Sequence, residues 1–383
     1  MTAPRFNASL LSLFAISILS SSIAPATTPA AETAAEENTA LAWHAVEPEN
    51  IEGQGWTDVK AAFDRLPARA EKLVRPEVWT LSRDSSGLYV TFMTNAPQIA
   101  VKWQLNTEEI SFAHMAATGV SGVDLYFRDD NGWHFHGVGR PVQYPDNEAT
   151  FTAHDSSAKG DVWYRLYLPL YNGVKSVEIG VPTDCTFGFE VPKEIKPPIV
   201  VYGTSITQGG CAARPGMAYP SILGRRLDRE FINLGFSGNG KTEPEVATLL
   251  AELEPSAFVI DSLPNLKPDM LAERMPRFIE ILRERHPQTP ILLVQNPLYP
   301  SVPYEEVIRS KVEPANEILA KIHADRVAAG DQAITLVPAC DLAANGGEGT
   351  VDGVHPTDLG FVMLADVLEP HLRKILAEPP RGE

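Results

Sequence analysis

Two short segments, far apart in the chain, carry the residue types of a serine nucleophile and its base. The first is the loop 203–210 (GTSITQGG), in which glycines flank Ser205 after an apolar run. The second reads DGVH and places Asp352 three residues before His355. At that spacing, one turn of backbone lets the carboxylate bind one ring nitrogen while the other ring nitrogen faces outward. We therefore predict Ser205 as nucleophile, His355 as general base and Asp352 as the acid that orients it.

The loop around Ser205 is ambiguous by itself. A glycine- and serine-rich loop of this kind also suits a simple turn or a phosphate-binding loop. It is not the G-x-S-x-G elbow of the α/β-hydrolases, because Thr207 occupies the position two after the serine. The DGVH segment favours the catalytic interpretation, since a nucleophile and an oriented base then occur in one chain.

Two further loops could stabilise the negative oxygen of a tetrahedral intermediate. The glycine-rich stretch 233–240 (NLGFSGNG) can aim the N–H of Gly238 into the site, and Asn265 can donate through its side-chain amide. With the N–H of Ser205 they form the predicted oxyanion hole. Asn265 alone would also suit a loop-capping role, but the convergence of four loops favours the catalytic one.

These loops require a scaffold, and the second half of the chain predicts one. The predicted strands are 199–202, 231–234, 258–261, 291–295 and 334–337, and the predicted helices are 218–229, 243–253, 269–285, 304–329 and 358–376. This alternation predicts a five-stranded parallel sheet between two helical layers, an α/β three-layer domain over 199–383. The loops meet at the carboxyl edge of the sheet, where ligands bind in such folds.

The order of these four blocks resembles the SGNH (GDSL-type) hydrolase superfamily over about the last 185 residues. The resemblance implies the family's catalytic roles for four block residues, Ser205, Gly238, Asn265 and His355. It adds Asp352 as the third member of the triad.

The sequence departs from the family pattern at two positions. Thr204 stands where an acidic residue usually precedes the serine, and LPNL surrounds Asn265 where the family usually has Gly-x-Asn-Asp. Neither departure replaces a catalytic atom, so both indicate a subfamily rather than a loss of activity.

The first half of the chain, residues 41–190, predicts an all-β domain. Short runs rich in aromatic and β-branched residues alternate with turn residues. The predicted strands are 88–94, 99–104, 123–128, 133–138, 162–167 and 176–181. We predict a jelly-roll-like β-sandwich. A linker at 191–198 (VPKEIKPP), with three prolines, joins it to the second half.

Two segments of the chain resemble one branch of the SGNH hydrolases. Residues 122–126 (GVDLY) are similar to the GxDLY signature of a β-sandwich domain that precedes the hydrolase domain, and residues 211–219 (CAARPGMAY) also resemble that branch. Proteins of this layout are similar to secreted carbohydrate esterases that remove O-acetyl groups from polysaccharides. The resemblance therefore implies an acetylesterase acting on a small-molecule or polysaccharide ester.

Several polar residues are candidates for substrate contact, each with a structural alternative. Asp124 and Tyr126 share one face of a predicted strand and could line the active site or hold the two domains together. Arg214 could bind substrate or lie on a loop surface. Gln295 and Asn296 end the fourth predicted strand at the catalytic edge, where they could hydrogen-bond a substrate.

Two other pairs have more ordinary interpretations. His134 and His136 lie two apart on a predicted strand and could bind a metal, but no third ligand is evident, so we expect no metal site. Trp133 and Trp163 could stack on sugar rings, although aromatic residues of a sandwich more often lie in its core.

Composition and charge narrow the classes of partner. The 383 residues include 49 acidic and 32 basic side chains, which gives a net charge of −17. This charge repels phosphate backbones and anionic lipid, so we expect neither nucleic acid nor a membrane surface as partner. Three cysteines are too few for a disulfide scaffold. Cys211 and Cys340 could pair, whereas Cys185 lies in another region.

The N-terminus predicts export. The apolar stretch 10–23 is too short to span a membrane, and the small residues 24–26 provide a cleavage site. Residues 1–26 are therefore a predicted signal peptide, and residues 27–40, rich in Ala, Thr and Glu, a predicted flexible leader. We expect a secreted or periplasmic protein. A buried N-terminal helix is the alternative.

Three functions are compatible with these features. The first is a secreted serine esterase that needs no cofactor, with His355 as its general base. The second is a carbohydrate-binding protein with a vestigial hydrolase domain, against which the intact Ser205, Asp352 and His355 argue. The third is a short-chain carboxylesterase or lipase-like hydrolase acting on other acyl esters. The sequence contains no long apolar lid, which disfavours long acyl chains.

Overall fold

The computed structural model of the chain describes residues 40–155, 157, 160–189 and 196–377. The predicted signal peptide at 1–26 lies outside the described residues. So do residues 27–39 of the predicted leader and residues 191–195 of the predicted linker.

Two antiparallel sheets form the first half of the described chain. The strands are β1 (Leu41–Ala45), β2 (Tyr89–Thr94), β3 (Gln98–Leu105), β4 (Val123–Asp129), β5 (Gly132–Gly139), β6 (Asp146–Thr152), β7 (Val162–Tyr167), β8 (Val174–Pro182) and β9 (Phe187–Phe189). Two short helices, α1 (Pro76–Leu81) and α2 (Ala117–Val120), lie between them. The strand orders are β1-β8-β3-β6 and β5-β4-β7-β2-β9. Val101 and Trp103 of β3 share a buried core with Val90 and Phe92 of β2, so the predicted β-sandwich is confirmed.

Three of these strands were not predicted from the sequence, and all three lie at sheet edges. Strands β1 and β6 flank one sheet, and β9 ends the other. Strand β6 reads DNEATFT, with several exposed side chains, and β9 has only three residues. Short or polar edge strands discourage pairing with another chain, and for the same reason they lack the apolar pattern by which strands are predicted.

A parallel sheet flanked by helices forms the second half. Its elements are β10 (Ile199–Gly203), α3 (Ser205–Gln208), α4 (Tyr219–Leu227), β11 (Phe231–Gly235), α5 (Pro244–Leu250), β12 (Ala257–Asp261), α6 (Pro268–Arg285), β13 (Ile291–Val294), α7 (Glu306–Ala328), β14 (Ile334–Val337) and α8 (Asp358–Ile375). The five strands pair in the order β11-β10-β12-β13-β14. Each predicted strand of this half ends within one residue of the observed one.

Two apolar cores separate the parallel sheet from its helices. Val200 and Tyr202 of β10 face the core that α5, α6 and α7 cover, while Ile199 and Val201 face the core beneath α4 and α8. This alternation confirms the predicted α/β three-layer domain. Within the described ranges, none of the helices combines the length and hydropathy needed to cross a bilayer.

Part of the segment between β1 and β2 packs on the parallel sheet. Trp56, Leu66 and Val78 are buried in the core that α5 and α6 also form. The buried Arg65 donates hydrogen bonds to the carbonyl of Asn233 at 3.0 Å and to that of residue 235 at 2.8 Å, at the end of β11. A stretch of the first half thus completes a core of the second.

Candidate active site

Ser205 begins α3 directly after the strand at which the sheet order reverses. The chain leaves β10 for β11 on one side and later crosses to β12 on the other, so a crevice opens between the loops at the carboxyl edge. Thr204 caps α3, and its Oγ1 accepts a hydrogen bond from the N–H of Ile206 at 3.2 Å. A Cβ atom at Gly203 would lie 1.9 Å from Thr207 Oγ1, so this close packing requires glycine.

Ser205, His355 and Asp352 form a continuous chain of hydrogen bonds. Ser205 Oγ lies 3.0 Å from His355 Nε2, and His355 Nδ1 lies 2.7 Å from Asp352 Oδ2. Ser205 follows β10 and His355 precedes α8, so the two meet because both loops lie at the carboxyl edge of the sheet. Such a geometry allows a neutral imidazole to take the proton of the serine hydroxyl.

The carboxylate of Asp352 is held by its own turn. Its Oδ1 accepts hydrogen bonds from the N–H of Val354 at 3.0 Å and of His355 at 2.8 Å. Partial burial opposes ionisation, but these bonds and the His355 ring keep the pKa of Asp352 below its ordinary value. An ionised Asp352 holds the proton of neutral His355 on Nδ1 and leaves Nε2 able to accept another.

A buried network supports α3 from the side of β12. Oδ2 of Asp261 accepts hydrogen bonds from Thr207 Oγ1 at 3.0 Å and from the Tyr219 hydroxyl at 2.8 Å. Burial raises the pKa of Asp261 to about 7, although both hydrogen bonds lower it. Because Thr207 lies on the same helical turn as Ser205, the network fixes this turn to β12 and α4.

The other two predicted oxyanion donors lie on adjoining loops. Gly238 adopts the left-handed backbone conformation, with φ of +66°, between β11 and α5. The side-chain oxygen of Asn265 accepts hydrogen bonds from the N–H of Asn239 at 3.1 Å and of Gly240 at 3.2 Å. In this orientation the NH₂ group of Asn265 points away from the N–H groups of Asn239 and Gly240. Asn265 is thereby joined to the loop that carries Gly238.

Gln208 links the helix that begins at Ser205 to the same loop. Its Oε1 accepts a hydrogen bond from the N–H of Ser237 at 3.0 Å, one residue before Gly238. Its Nε2 donates to Asp84 Oδ2 at 2.9 Å and to the carbonyl of Leu170 at 3.1 Å. Gln208 is fully buried, and Asp84 and Leu170 belong to the first half of the chain. The first half therefore helps to hold the loop of Gly238.

A cleft of about 560 Å³ opens beside His355. Gly210, Ser237 and Asn239 line the side that belongs to the second half. Helix α1 and the loop 112–115 line the opposite side, with Tyr171. The Tyr171 hydroxyl donates a hydrogen bond to the backbone carbonyl of Ser205 at 3.2 Å. Both halves of the chain thus build the cleft.

Asp124, Tyr126 and Arg214 lie together between the two halves. Asp124 is fully buried, and its Oδ2 accepts hydrogen bonds from Arg214 Nη1 at 2.7 Å and from the N–H of Gly216 at 2.9 Å. Burial raises the pKa of Asp124 to about 6, while Arg214 lowers it. The same Nη1 donates to the Tyr126 hydroxyl at 2.5 Å. These contacts join β4 to the loop after α3. Among the described residues that line the cleft beside His355, none of the three occurs.

Gln295 and Asn296 contact α7 and the end of β14. Gln295 Nε2 donates to the carbonyl of Asn316 at 3.2 Å, and its Oε1 accepts from the N–H of Ala339 at 3.3 Å. The N–H of Asn296 donates to Asn316 Oδ1 at 2.7 Å. Neither side chain is among the described residues of the cleft lining.

The two histidines of β5 have partners on neighbouring segments. His134 Nε2 lies 2.8 Å from Asp129 Oδ1, and His136 Nε2 lies 2.5 Å from the carbonyl oxygen of Thr152. In the part of the chain that the structure describes, no group of three or more His, Cys, Asp and Glu side chains could hold a metal ion.

Trp133 and Trp163 lie on strands β5 and β7 of the β-sandwich. The Arg165 guanidinium lies 4.3 Å from the centroid of the Trp133 ring, and Trp163 pairs with Met93 in the ladder of β7 and β2. All three cysteines are free thiols: Cys185, Cys211 and Cys340.

Gln208, Tyr171 and the loop 112–115 were not among the residues singled out from the sequence. The sequence contained an indication that Gln208 contributes to the site, because it is a polar residue three positions after Ser205 in a segment that must pack against strands. It contained none for Phe112 and His114, since their place beside the cleft depends on how the two halves pack.

Two family models match the chain. The GDSL-like lipase/acylhydrolase family matches residues 196–373. GxDLY, the N-terminus of SGNH-hydrolase-type esterases, matches residues 41–187. A search of curated proteins gives no match.

Solved structures share the fold over most of the chain. A Bacteroides ovatus protein assigned as a GDSL-like lipase is 34% identical, with a TM-score of 0.82, over 89% of this chain and 100% of that chain. Salicylyl-acyltransferase SsfX3 from a tetracycline biosynthetic pathway is 18% identical, with a TM-score of 0.68, over 89% and 96%. A family two carbohydrate esterase from Clostridium thermocellum, in complex with cellohexaose, is 14% identical, with a TM-score of 0.53, over 76% and 93%. The last two likenesses show a shared fold alone.

Proposed function

Because the chain belongs to the GDSL-like lipase/acylhydrolase family of ester-hydrolysing enzymes, we propose that Ser205, His355 and Asp352 carry out the hydrolysis. The observation that carries this proposal is the hydrogen-bond chain from Ser205 Oγ through His355 to Asp352, with distances of 3.0 and 2.7 Å. The reaction needs no cofactor, because each proton moves between groups of this chain, the ester and water.

In the first step, Ser205 becomes acylated. His355 Nε2 takes the proton of Ser205 Oγ as that oxygen attacks the carbonyl carbon of the ester. The π electrons of the carbonyl move to its oxygen, and the tetrahedral intermediate collapses by expelling the alcohol, which receives the proton from His355. Asp352 stays ionised and stabilises the imidazolium.

In the second step, water releases the acyl group. His355 Nε2 takes a proton from water as the water oxygen attacks the acyl carbonyl. As the second tetrahedral intermediate collapses, the bond between Ser205 Oγ and the acyl carbon breaks, and His355 returns the proton to Oγ. The products are a carboxylic acid, one alcohol and the regenerated enzyme.

The proposed donors to the oxyanion are the N–H groups of Ser205 and Gly238 and the side-chain NH₂ of Asn265. Their placement on loops of one sheet edge supports this role, as does the hydrogen bonding of Asn265 to the Gly238 loop. Losing one such donor typically lowers kcat by about 10²–10³-fold.

Replacement of the nucleophile tests the proposal directly. Ser205→Ala should abolish hydrolysis of p-nitrophenyl acetate and labelling by a fluorophosphonate while the protein remains folded by circular dichroism. Ser221→Ala, a comparably buried serine on α4, is the matched control and should keep both activities. Undiminished hydrolysis by folded Ser205→Ala would contradict the mechanism, and an unlabelled wild type would favour the vestigial, carbohydrate-binding alternative.

The proposed substrate is an O-acetyl ester of a carbohydrate. A sandwich domain that lines the cleft, and a shared fold with a carbohydrate esterase solved with cellohexaose, support this class. Acetate release from a panel of acetylated polysaccharides is the test. A series of esters from acetate to palmitate separates the alternatives, since a preference for palmitate would indicate a lipase-like hydrolase.

The proposed location is outside the cytoplasm. Expressed with its first 26 residues, the chain should appear in the periplasm or medium with a mature N-terminus close to residue 27, as read by mass spectrometry. A chain that lacks residues 2–26 is the control and should stay in the cytoplasm. An uncleaved N-terminus would contradict the signal peptide.

A further inference from the structure

The first half of the chain supplies two aromatic rings beside His355. Phe112 and His114 lie on the loop between β3 and α2 and line the cleft. Their rings stack, with centroids 6.4 Å apart and an interplanar angle of 29°. The His114 centroid lies 5.9 Å from that of His355. A substrate group that stacks on Phe112 and His114 would therefore lie next to the imidazole that is proposed to transfer a proton from Ser205 to the leaving alcohol.

This aromatic pair is accessible and supported from one side. Phe112 is 37% exposed, and its ring makes a T-shaped contact with that of Tyr171, with centroids 6.1 Å apart and an interplanar angle of 82°. His114 is also exposed. An aromatic ring that packs against one neighbour and is still exposed to solvent can stack on the apolar face of another ring.

The rest of the lining combines apolar side chains, those of Pro76, Leu81 and Met115, with polar ones. Thr80, Ser237 and Asn239 contribute hydroxyl and amide groups. Glu77 contributes a carboxylate, and its Oε2 lies 3.4 Å from Arg75 Nη1, outside the lining. Among the described residues of the lining there is no Lys or Arg. The chain as a whole carries a net charge of −17. The cleft can therefore hydrogen-bond hydroxyl groups but has no Lys or Arg to neutralise an anionic ligand.

We propose that Phe112 and His114 form a subsite for a neutral, hydroxylated sugar ring, the alcohol part of the ester, and that the cleft disfavours sugars bearing a carboxylate. The inference rests on the proposed esterase function and deepens it. The sugar ring stacks on the aromatic pair, its hydroxyl groups face Thr80 and Asn239, and its ester oxygen lies near His355.

Comparison of three esters tests the stacking subsite. The full chain is assayed with a mono-acetylated methyl xylopyranoside, with phenyl acetate and with ethyl acetate, which has no ring. Phe112→Ala should lower the ratio of kcat/KM for the sugar ester to that for ethyl acetate about tenfold, the equivalent of one stacking contact of about 1.4 kcal/mol. His114→Ala should lower the same ratio, and His114→Phe should restore it because a ring remains. Tyr144→Ala, 38% exposed and outside the cleft lining, is the matched control and should leave the ratio unchanged.

The outcomes separate this inference from the esterase function. If the ratio is unchanged in folded Phe112→Ala and His114→Ala, the subsite is wrong, while hydrolysis of ethyl acetate that depends on Ser205 would still support the esterase. A loss confined to phenyl acetate would overturn the assignment to a sugar. If the wild type hydrolyses none of the three esters, both proposals fail.

A charged sugar tests the second part of the inference. The wild type should have a lower kcat/KM for an acetylated methyl glucuronopyranoside than for the neutral xylopyranoside. Glu77→Gln should raise the ratio of acidic to neutral substrate about two- to fivefold, as expected for one exposed repulsive charge. Glu284→Gln, an exposed acid on α6, is the control. Equal kcat/KM for both sugars in the wild type would overturn the discrimination.

Discussion

At the scale of single residues, the turn that carries Asp352 resembles a second turn that lacks a histidine. Asp352 Oδ1 accepts from the N–H groups of Val354 and His355, and Asp341 Oδ1 accepts in the same way from the N–H groups two and three positions ahead. The turns differ because only Asp352 also reaches an imidazole, at 2.7 Å. Asp341 is therefore a natural control for the orienting role of Asp352.

Asp352→Asn keeps the size of the side chain and removes its charge. We expect kcat to fall about 10⁴-fold with a much smaller change in KM, because the amide no longer holds the proton of His355 on Nδ1. Steady-state kinetics with p-nitrophenyl acetate provides the measurement. Asp341→Asn should keep the wild-type kcat, and an equal effect of both substitutions would argue for a structural role alone.

Gln208 is expected to act as a positioning residue, since it contacts the loop of Gly238 and not the ester. In Gln208→Leu the N–H of Ser237 loses its acceptor, so the loop can shift. We expect kcat to fall about 10- to 100-fold, short of complete loss of an oxyanion donor, with KM changed far less. Gln208→Glu keeps an acceptor for Ser237 and should recover most of kcat at pH 6. At that pH Asp84, whose pKa burial raises to about 7, can be protonated beside it. Equal losses in the two variants would contradict this role.

The contrast between these residues shows what sequence can predict at this scale. Asp352 and His355 are three positions apart, so their contact follows from local backbone geometry. Ser205 could be placed near them because strand ends of a parallel sheet share one edge. Phe112 could not be placed there, because its position depends on packing between halves that no local pattern encodes.

At the scale of elements, the segment between β1 and β2 carries a buried cation. Arg65 donates hydrogen bonds to the backbone carbonyls of Leu81, Asp84, Asn233 and Gly235. Burial lowers the pKa of Arg65 to about 10, so it stays charged at neutral pH. The guanidinium thereby joins α1 to the end of β11.

Arg65→Met should destabilise the protein by about 3 kcal/mol, because buried carbonyls lose their donor. Urea unfolding followed by tryptophan fluorescence measures the change. Arg69→Met lies in the same segment but removes exposed ion pairs with Asp58 and Glu252, and it should cost less than about 1 kcal/mol. Similar costs for the two substitutions would contradict a special role for Arg65.

Strands were predictable where their sequence carries a continuous apolar or alternating pattern. The interior strand β10 reads IVVYG and is buried along its whole length, so its apolar run is unmistakable. Strand β6 pairs with a strand on one side only, and several side chains of its DNEATFT sequence are exposed to solvent. The register of β6 is set by its partner β3 more than by its own composition.

At the scale of the whole molecule, buried carboxyl groups should make stability depend on pH. Burial raises the pKa of Asp84 and of Asp261 to about 7, from an ordinary value of 3.8. The folded state therefore holds protons that the unfolded chain releases between about pH 4 and 7. In this window the free energy of unfolding should decrease as pH rises, by up to about 1.4 kcal/mol per pH unit for each group.

Asp261→Asn should reduce the slope of this pH dependence, since its amide cannot lose a proton, and the contribution of Asp84 should remain. Urea unfolding at pH 5, 6 and 7 measures the slope. Asp331 is the matched control: despite partial burial, hydrogen bonds from Arg283 and Arg326 keep its pKa below the ordinary value. Asp331 is thus ionised in both states from pH 5 to 7, and Asp331→Asn should leave the slope unchanged over this range. A wild-type slope in Asp261→Asn would contradict the role of that carboxyl group.

The packing of the segment between β1 and β2 also limits which recombination events between relatives would preserve this fold. Trp56, Leu66 and Val78 complete a core of the parallel sheet, and Asp84 supports Gln208. A recombination junction within 191–198 would leave the hydrolase half with an uncovered apolar face and a loosened Gly238 loop. Exchange of whole halves between relatives should therefore be selected against, and substitutions on one side of the junction should be followed by compensating substitutions on the other.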